Sequence, residues 1–135
     1  MNDFNHGVIE EFRANHGVVG GGFAGASVVL LTTTGAKSGL KRVNPLVALV
    51  EGDKLYVIAS KAGAPTSPDW YHNLVANPQV EVEMGDDRFS ATAVPITSGP
   101  ERDRLYAAQV AVQPGFADYE KATTRVIPVV ELQRS

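Results

Sequence analysis

Three short glycine-containing turns, each between two strand-like segments, constrain the fold of this 135-residue chain more than any other feature. The turns are Gly35–Gly39, Glu51–Asp53 and Gly85–Asp87. Turns of this length join neighbouring strands of an antiparallel sheet. Parallel strands instead need a crossover of about a dozen residues or more. The sequence therefore predicts antiparallel hairpins, and it lacks the alternating strand and helix order of a dinucleotide-binding fold.

Six segments of the chain have the composition of strands. They cover residues 27–34, 41–50, 54–60, 79–84, 88–94 and 126–132. The first segment is β-branched and apolar, which is typical of a buried strand, whereas the fourth alternates apolar and polar residues like a half-exposed strand. Pro128 lies inside the last segment and has no backbone N–H, so we expect an edge strand or a bulge there.

Four segments are predicted to be helical. The first has apolar residues at helical spacing near the N-terminus. These residues are Phe4, Val8, Ile9 and Phe12. Asp69 is expected to cap a short second helix, which Asn77-Pro78 ends. Pro100 begins the clearest helix, over residues 100–112, and residues 116–124 are expected to form a short helical turn.

These elements predict an α+β barrel or curled sheet of about six mostly antiparallel strands with two to four short helices. A chain of 135 residues is long enough for one domain with its own core and too short for two of ordinary size. We therefore expect a single domain over residues 1–135. Within it, residues 1–26 are expected to form the N-terminal helix and a flexible connector, the glycine cluster Gly17–Gly25.

Composition excludes several classes of function. The chain has no cysteine, so it forms no disulfide, thiolate metal site or cysteine nucleophile. The net charge of −3 argues against a nucleic-acid partner. His6, His16 and His72 are scattered without metal-ligand spacing, and no metal site is expected. The sequence also lacks a signal peptide and an apolar run of about 20 residues, so we expect a cytoplasmic protein.

Positive charge is concentrated in one part of this acidic chain. Five of the twelve cations lie between residues 37 and 61, where Glu51 and Asp53 are the only acids. The turn Gly35–Gly39, followed by Lys41 and Arg42, offers backbone N–H groups, a hydroxyl and several charges, as a phosphate or carboxylate site needs. A solvated hairpin tip has the same composition. The spacing is not that of a Walker loop.

Other side chains suit either a pocket or the core. Trp70, Tyr71, Phe116 and Tyr119 could wall a pocket for a planar ring or pack in the interior. Ser60 ends a strand, but no nucleophile elbow surrounds it, so hydrolase chemistry is poorly supported. The residues alone thus indicate a small α+β domain in which the turn at 35–39 is either an anion site or a solvated hairpin tip.

A series of motifs in this chain is similar to that of the deazaflavin-dependent nitroreductases of actinobacteria. The series covers the chain from about Val28 onward, in the same order and with similar gaps. The motifs are LLTTTGAKSG (30–39), RVNPL (42–46), ASKAGAP (59–65), PDWYHNL (68–74), ANPQV (76–80), DY (118–119) and RVIPVV (125–130). The resemblance implies a split β-barrel related to FMN-binding oxidases.

The resemblance also implies coenzyme F420, an 8-hydroxy-5-deazaflavin with a phosphate and a poly-glutamate tail. Residues implied along the ring or in its pocket are Leu30, Leu31, Thr32, Leu46, Val47, Ala48, Leu49, Val57, Ile58, Ala59, Ser60 and Lys61. Residues implied at the phosphate and tail are Ala36, Lys37, Ser38, Gly39, Leu40, Lys41 and Arg42, and Asn44 is also expected to bind the cofactor.

The implied reaction is hydride transfer from F420H2 to a quinone, a nitro-heterocycle or an α,β-unsaturated carbonyl. Ser60 and Tyr119 are the candidate catalytic hydrogen-bond donors, with Trp70 and Phe116 as substrate walls beside Tyr119. Tyr119 could equally be a packing residue. Gln113 and Phe116 occupy positions where the family usually has tyrosines.

Two other functions remain open on the same fold: an FMN-binding split-barrel oxidoreductase and a non-catalytic carrier that sequesters F420. The expected partner is a small-molecule hydride acceptor, with at most peripheral contact with a membrane face. The oligomeric state is expected to be a monomer or a homodimer.

Overall fold

The computed structural model describes residues 3–20, 27–64 and 66–134. In these parts of the chain six strands form a closed barrel. The strands are β1 (Val28–Thr34), β2 (Lys41–Glu51), β3 (Lys54–Ile58), β4 (Gln79–Met84), β5 (Asp87–Ile96) and β6 (Val129–Arg134). Each pairs antiparallel with both neighbours, in the closed order β1-β2-β3-β6-β5-β4. The predicted antiparallel α+β barrel is confirmed.

Four helices accompany the barrel in the described residues, as the sequence predicts. They are α1 (Asp3–Ala14), α2 (Asp69–Ala76), α3 (Gly99–Val112) and α4 (Gly115–Lys121). A 3₁₀ turn at Lys61–Gly63 lies between β3 and α2. None of the helices in the described ranges is long and apolar enough to cross a membrane.

The barrel interior is filled by alternate residues of the strands. It includes Val29 and Leu31 of β1, Val80 and Val82 of β4, and Val130 and Leu132 of β6. Successive side chains of a strand point to opposite faces, so a six-residue strand supplies about three residues to the core. α2 adds Trp70 and Leu74 to the same cluster and thereby packs firmly against the barrel.

α1 covers the outer face of β1 and β2. Its residues Val8, Ile9 and Phe12 pack with Leu30 of β1, and Val43 of β2 lies against the same cluster. The opposite outer face, formed by β3 and β6, is covered by α3 and α4. Leu105 and Tyr106 of α3 pack there with Tyr56, Ile58 and Val129, and Phe116 and Tyr119 of α4 pack against the same cluster.

Two local predictions are wrong. Pro128 precedes β6 instead of lying within it, and β6 pairs with both β3 and β5, so it is not an edge. The carbonyl of Pro128 accepts the N–H of Ala59 at 3.0 Å, and the ladder begins one residue after the missing N–H. Asp69 is the first helical residue of α2 and not its cap, because Pro68 holds the extended cap conformation. In the glycine-rich connector, residues 21–26 lie outside the described residues.

Candidate functional site

A cavity of about 740 Å³, termed here the apolar cavity, lies where four elements converge. Its walls come from β2, the end of β3, the start of α2 and the connection from α3 to α4. Eight residues singled out from the sequence line it: Leu46, Val47, Ile58, Ser60, Lys61, Trp70, Phe116 and Tyr119. Its volume lies within the ~300–1,000 Å³ range of small-molecule pockets.

The chain turns a corner at residues 60–64, just after β3, and this Ser60–Lys61 corner has an unusual backbone. Lys61 adopts φ of +46° and Gly63 φ of +81°, both in the left-handed region. The corner is closed by two hydrogen bonds, from Gly63 N–H to Ser60 O and from Ala64 N–H to Lys61 O, each at 3.0 Å. A lysine in this conformation is strained, and such strain is found where the surrounding structure holds a functional residue in place.

Gly63 also allows the corner to touch α4. A Cβ on Gly63 would lie 2.8 Å from Tyr119 O and 2.8 Å from the Cβ of Ala122, which is closer than such atoms approach. The bare backbone therefore lets the Ser60–Lys61 corner pack directly against the helix that carries Tyr119. Two walls of the apolar cavity are thus joined by a direct backbone contact.

The α4 wall is held from α3. The phenol of Tyr106 donates to the carbonyl of Phe116 at 2.6 Å, and burial is the main cause that raises the pKa of Tyr106 to about 12. Phe116 packs edge-on against Tyr119 with ring centroids 5.1 Å apart. Gln113 accepts a hydrogen bond from the buried Gln109 at 3.2 Å. The aromatic wall therefore has fixed backbone and side-chain partners.

A second cavity of about 580 Å³, the cationic cavity, lies at the first hairpin turn. Five predicted cofactor residues line it: Ala36, Lys37, Ser38, Arg42 and Asn44. Asp69 is its one lining carboxylate among the described residues, against the two cations Lys37 and Arg42. The cavity therefore carries a net positive charge, as an anionic ligand requires.

Asn73 of α2 fixes this turn to the rest of the molecule. Its side-chain oxygen accepts the N–H of Ala36 at 3.0 Å, and its nitrogen donates to the Thr33 hydroxyl at 3.3 Å. The N–H of Gly35 is bonded to the carbonyl of Leu40 at 2.8 Å. In the described part of the chain no acceptor is assigned to the backbone N–H groups of Lys37 and Ser38, so both remain available to an anion.

Trp70 lines both cavities and is only 6% exposed. β2 also contributes to both, with Arg42 and Asn44 at the cationic cavity and Leu46 at the apolar cavity. The two cavities are therefore neighbours, and together they form one site with an apolar end and a cationic end. Such a site suits an elongated ligand that has a planar ring at one end and anionic groups at the other.

Ten of the residues predicted to bind the cofactor line neither cavity. Leu31, Ala48, Val57 and Ala59 fill the barrel interior, Leu30 packs under α1, and Leu49 packs against the α3 side. Thr32 is buried, and Gly39, Leu40 and Lys41 are exposed between the end of the turn and the start of β2. Lys41 donates to the hydroxyl of Thr34 at 3.1 Å.

Several lining residues were not predicted to belong to the site. Pro45, Pro68, Val112, Gln113, Pro114 and Gly115 line the apolar cavity, and Gly35, Asp69, His72 and Asn73 line the cationic one. The sequence Gln113-Pro114-Gly115 signals only the end of a helix, and the position of Asn73 one turn after Asp69 is the sole local sign that it faces the turn. In the ranges that the structure describes, no cluster of three metal-ligating side chains occurs.

Comparisons with known proteins identify the family of this chain. A family profile described as F420H(2)-dependent quinone reductase matches residues 6–134. The F420H(2)-dependent quinone reductase Rv1261c of Mycobacterium tuberculosis is 41% identical over 128 residues, which cover 91% of this chain and 85% of that protein.

Two solved structures are also similar. The F420-H2 dependent reductase FDR-A is 42% identical, with a TM-score of 0.72, over 79% of this chain and 94% of that chain. A protein described as a domain-swapped dimer is 40% identical, with a TM-score of 0.74, over 93% of this chain and 91% of that one. The predicted split β-barrel and the predicted resemblance to deazaflavin-dependent reductases are confirmed. The chain belongs to the F420H(2)-dependent quinone reductase family.

Proposed function

We propose that this chain is an F420H2-dependent reductase that binds its cofactor across both cavities and reduces a quinone. The observation that carries the proposal is that an apolar cavity and a cationic cavity share Trp70 as a lining residue. Coenzyme F420 combines a flat deazaflavin ring with a phosphate and a glutamate tail, so its two chemical ends match the two ends of the site. The residues present therefore fit the cofactor.

The cationic cavity would hold the phosphate and the tail. Lys37 and Arg42 supply positive charge, and the backbone N–H groups of Lys37 and Ser38 supply donors in the same turn. Charge-assisted hydrogen bonds of this kind are stronger than neutral ones. Asn73 supports the arrangement by holding Ala36, and so the start of the turn, against α2.

The apolar cavity would hold the ring and the acceptor and keep water away from them. When bound, F420H2 supplies a hydride from a ring carbon to the acceptor. The protein contributes orientation, because Trp70, Phe116 and Ile58 are held by the core and present apolar surface to the cavity. Val112 is 67% exposed and lines the same cavity, so the aliphatic surface continues towards solvent.

Ser60 and Tyr119 are the proposed donors to the acceptor. A quinone oxygen gains negative charge as it is reduced, and a fixed hydroxyl stabilises that charge. Ser60 is buried at the corner, and Tyr119 lies on the helix packed against the same corner. We expect Tyr119→Phe to lower kcat more than it lowers cofactor affinity, and an equal loss in both would move Tyr119 to the cofactor end.

The first experiment is a titration with F420 and, in parallel, FMN, followed by fluorescence of Trp70, the only tryptophan of the chain. The double variant Lys37→Ala/Arg42→Ala should weaken F420 binding at least about tenfold, since even one hydrogen bond to a charged group contributes ~1.5–3 kcal/mol. Lys54→Ala removes an exposed cation that lines neither cavity and is the matched control.

The outcomes separate the remaining functions. Tighter binding of FMN than of F420 would indicate that FMN is the cofactor. Binding of F420 without acceptor-dependent oxidation of F420H2 would indicate a carrier. Menadione, a nitroimidazole and an enone should be compared as acceptors, with the quinone expected to react fastest.

The oligomeric state, monomer or homodimer, remains a prediction that analytical ultracentrifugation tests. The prediction that the chain makes at most peripheral contact with a membrane is tested by sedimentation with anionic lipid vesicles.

A further inference from the structure

Arg125, in the segment between α4 and β6, binds the backbone of the loop that follows β3. Its Nε donates to Ala64 O at 2.9 Å, and its Nη2 donates to Ser60 O at 2.9 Å and to Ala59 O at 3.1 Å. Its Nη1 lies 3.4 Å from the hydroxyl of Ser67. One planar guanidinium therefore spans the loop from residue 59 to residue 67. We term these contacts the Arg125 clamp.

The clamp brackets the strained corner of the apolar cavity. Ala59 and Ser60 lie immediately before Lys61, whose φ is +46°, and Ala64 lies immediately after Gly63, whose φ is +81°. A left-handed lysine persists only where the surrounding structure over-determines the backbone. The clamp supplies bonds on both sides of this lysine, and they come from a segment 58 to 66 residues further along the chain.

The hydrogen-bond partners of Arg125 differ in kind from those of Arg102, a buried arginine that also lies near α4. Arg102 forms ion pairs with Asp103 and Glu120 at 3.1 and 2.9 Å. Within the described residues Arg125 forms no ion pair, and all its bonds go to neutral oxygens. The guanidinium fork thus recognises a backbone shape, which a single-nitrogen cation cannot reproduce.

We propose that Arg125 is a positioning residue that fixes the Ser60–Lys61 corner against α4 and thereby aligns the donors of the apolar cavity. The inference rests on the proposed function for its catalytic consequence, because the corner carries Ser60 and touches the backbone of Tyr119. Arg125 lines neither cavity, so it acts through the corner and not on the ligand.

The test compares Arg125→Ala and Arg125→Lys with Arg88→Ala. Arg88 is an exposed arginine of β5 whose ion pair is with Glu81, away from both cavities, so it is the matched control. Hydrogen exchange followed by NMR reports on the N–H groups of Gly63 and Ala64, which close the corner. Their exchange should accelerate at least about tenfold in both Arg125 variants, since local opening exposes these amides, and stay unchanged in Arg88→Ala.

Steady-state kinetics give the catalytic part of the test. Arg125→Ala should lower kcat by about ten- to a hundredfold, because misplacement by about 1 Å can cost a hundredfold, while the Kd for F420 changes less than about threefold. Guanidinium ion at millimolar concentration should partly restore kcat in Arg125→Ala, and urea should not. Arg125→Lys should stay low in kcat, because one nitrogen cannot span the loop.

The exchange measurement needs no cofactor, so it separates this inference from the proposed function. If the wild-type protein fails to bind F420 while the two amides still lose protection, the proposed function fails and the clamp stands without a catalytic consequence. Unchanged exchange in both variants would refute the clamp. A parallel loss of kcat and F420 affinity without guanidinium rescue would refute the positioning role. If Arg125→Ala does not fold, Arg125→Lys decides both points.

Discussion

The contact between Gly63 and α4 gives the sharpest stability prediction. In Gly63→Ala the new Cβ would lie 2.8 Å from the carbonyl oxygen of Tyr119 and 2.8 Å from the Cβ of Ala122. It would also force an alanine to adopt φ of +81°. Backbone and a short side chain line this space, so the clash cannot be relieved by the far end of a flexible side chain.

Two costs add in this variant. Placing a non-glycine residue in the left-handed region costs about 1–2 kcal/mol, and overpacking a close contact costs about 1–3 kcal/mol. We therefore expect Gly63→Ala to lower the free energy of unfolding by about 2–5 kcal/mol. Gly52, in the hairpin between β2 and β3, has φ of +61°, and no atom of the described residues lies within 4 Å of the position that a Cβ would take there. Gly52→Ala carries only the first cost and is the control.

The assay is equilibrium urea unfolding of both variants and the wild type, with equal m-values required for the comparison. The difference between Gly63→Ala and Gly52→Ala isolates the contact and should be about 1–3 kcal/mol. Equal destabilisation of the two variants would refute the packing of the corner on α4. Such a result would also remove the reason for a direct link between Ser60 and the Tyr119 helix.

Three other predictions concern named hydrogen bonds. Hydrogen bonding to Arg13 lowers the pKa of Glu83 in the folded protein. The pair therefore stabilises the fold at pH values above the pKa of Glu83 in the unfolded chain, and this stabilisation is lost as the pH falls through the lower pKa of the folded state. Glu83→Gln should cost at most about 1 kcal/mol at pH 7 and flatten the acid dependence of Tm. Tyr106→Phe removes the hydrogen bond from the phenol to the carbonyl of Phe116 and should cost about 0.5–1.5 kcal/mol in urea unfolding. Asn73→Ala releases the first hairpin turn and should weaken F420 binding by about tenfold in the same fluorescence titration.

The sequence predicts the strands well because their signals are local. Each of the turns at Gly35–Gly39, Glu51–Asp53 and Gly85–Asp87 does join two adjacent antiparallel strands. The position of β6 is different. Its neighbours β3 and β5 are distant in sequence, so closure of the barrel could not be read from the residues around Pro128, and the expected edge is an interior position of the sheet.

The site shows the same limit. Composition identifies the turn and its cations, and residues 35–38 of the turn line the cationic cavity together with Arg42, whereas Lys41 does not. Leu30 of β1 faces α1 and not a ligand, because α1 lies on that face of the strand. No local sequence pattern around Leu30 indicates that a helix covers it. Arg125 is the clearest case, because its three backbone acceptors are carbonyl oxygens 61 to 66 residues away. Every residue has a backbone carbonyl, so the sequence does not show which carbonyls a side chain will bind, and only the structure reveals the contact.

α2 explains how a small barrel can hold a ligand with two unlike ends. Leu74 and Trp70 of this helix are buried in the barrel core, so the helix cannot shift without opening that core. The same eight-residue helix presents Trp70 to the apolar cavity and Asn73 to the cationic turn. The separation between the two ends of the site is therefore set by one helix packed on the core and not by a loop. On the proposed function, a preformed separation of this kind would reduce the entropy cost of binding and favour ligands whose ring and anionic groups have the matching separation.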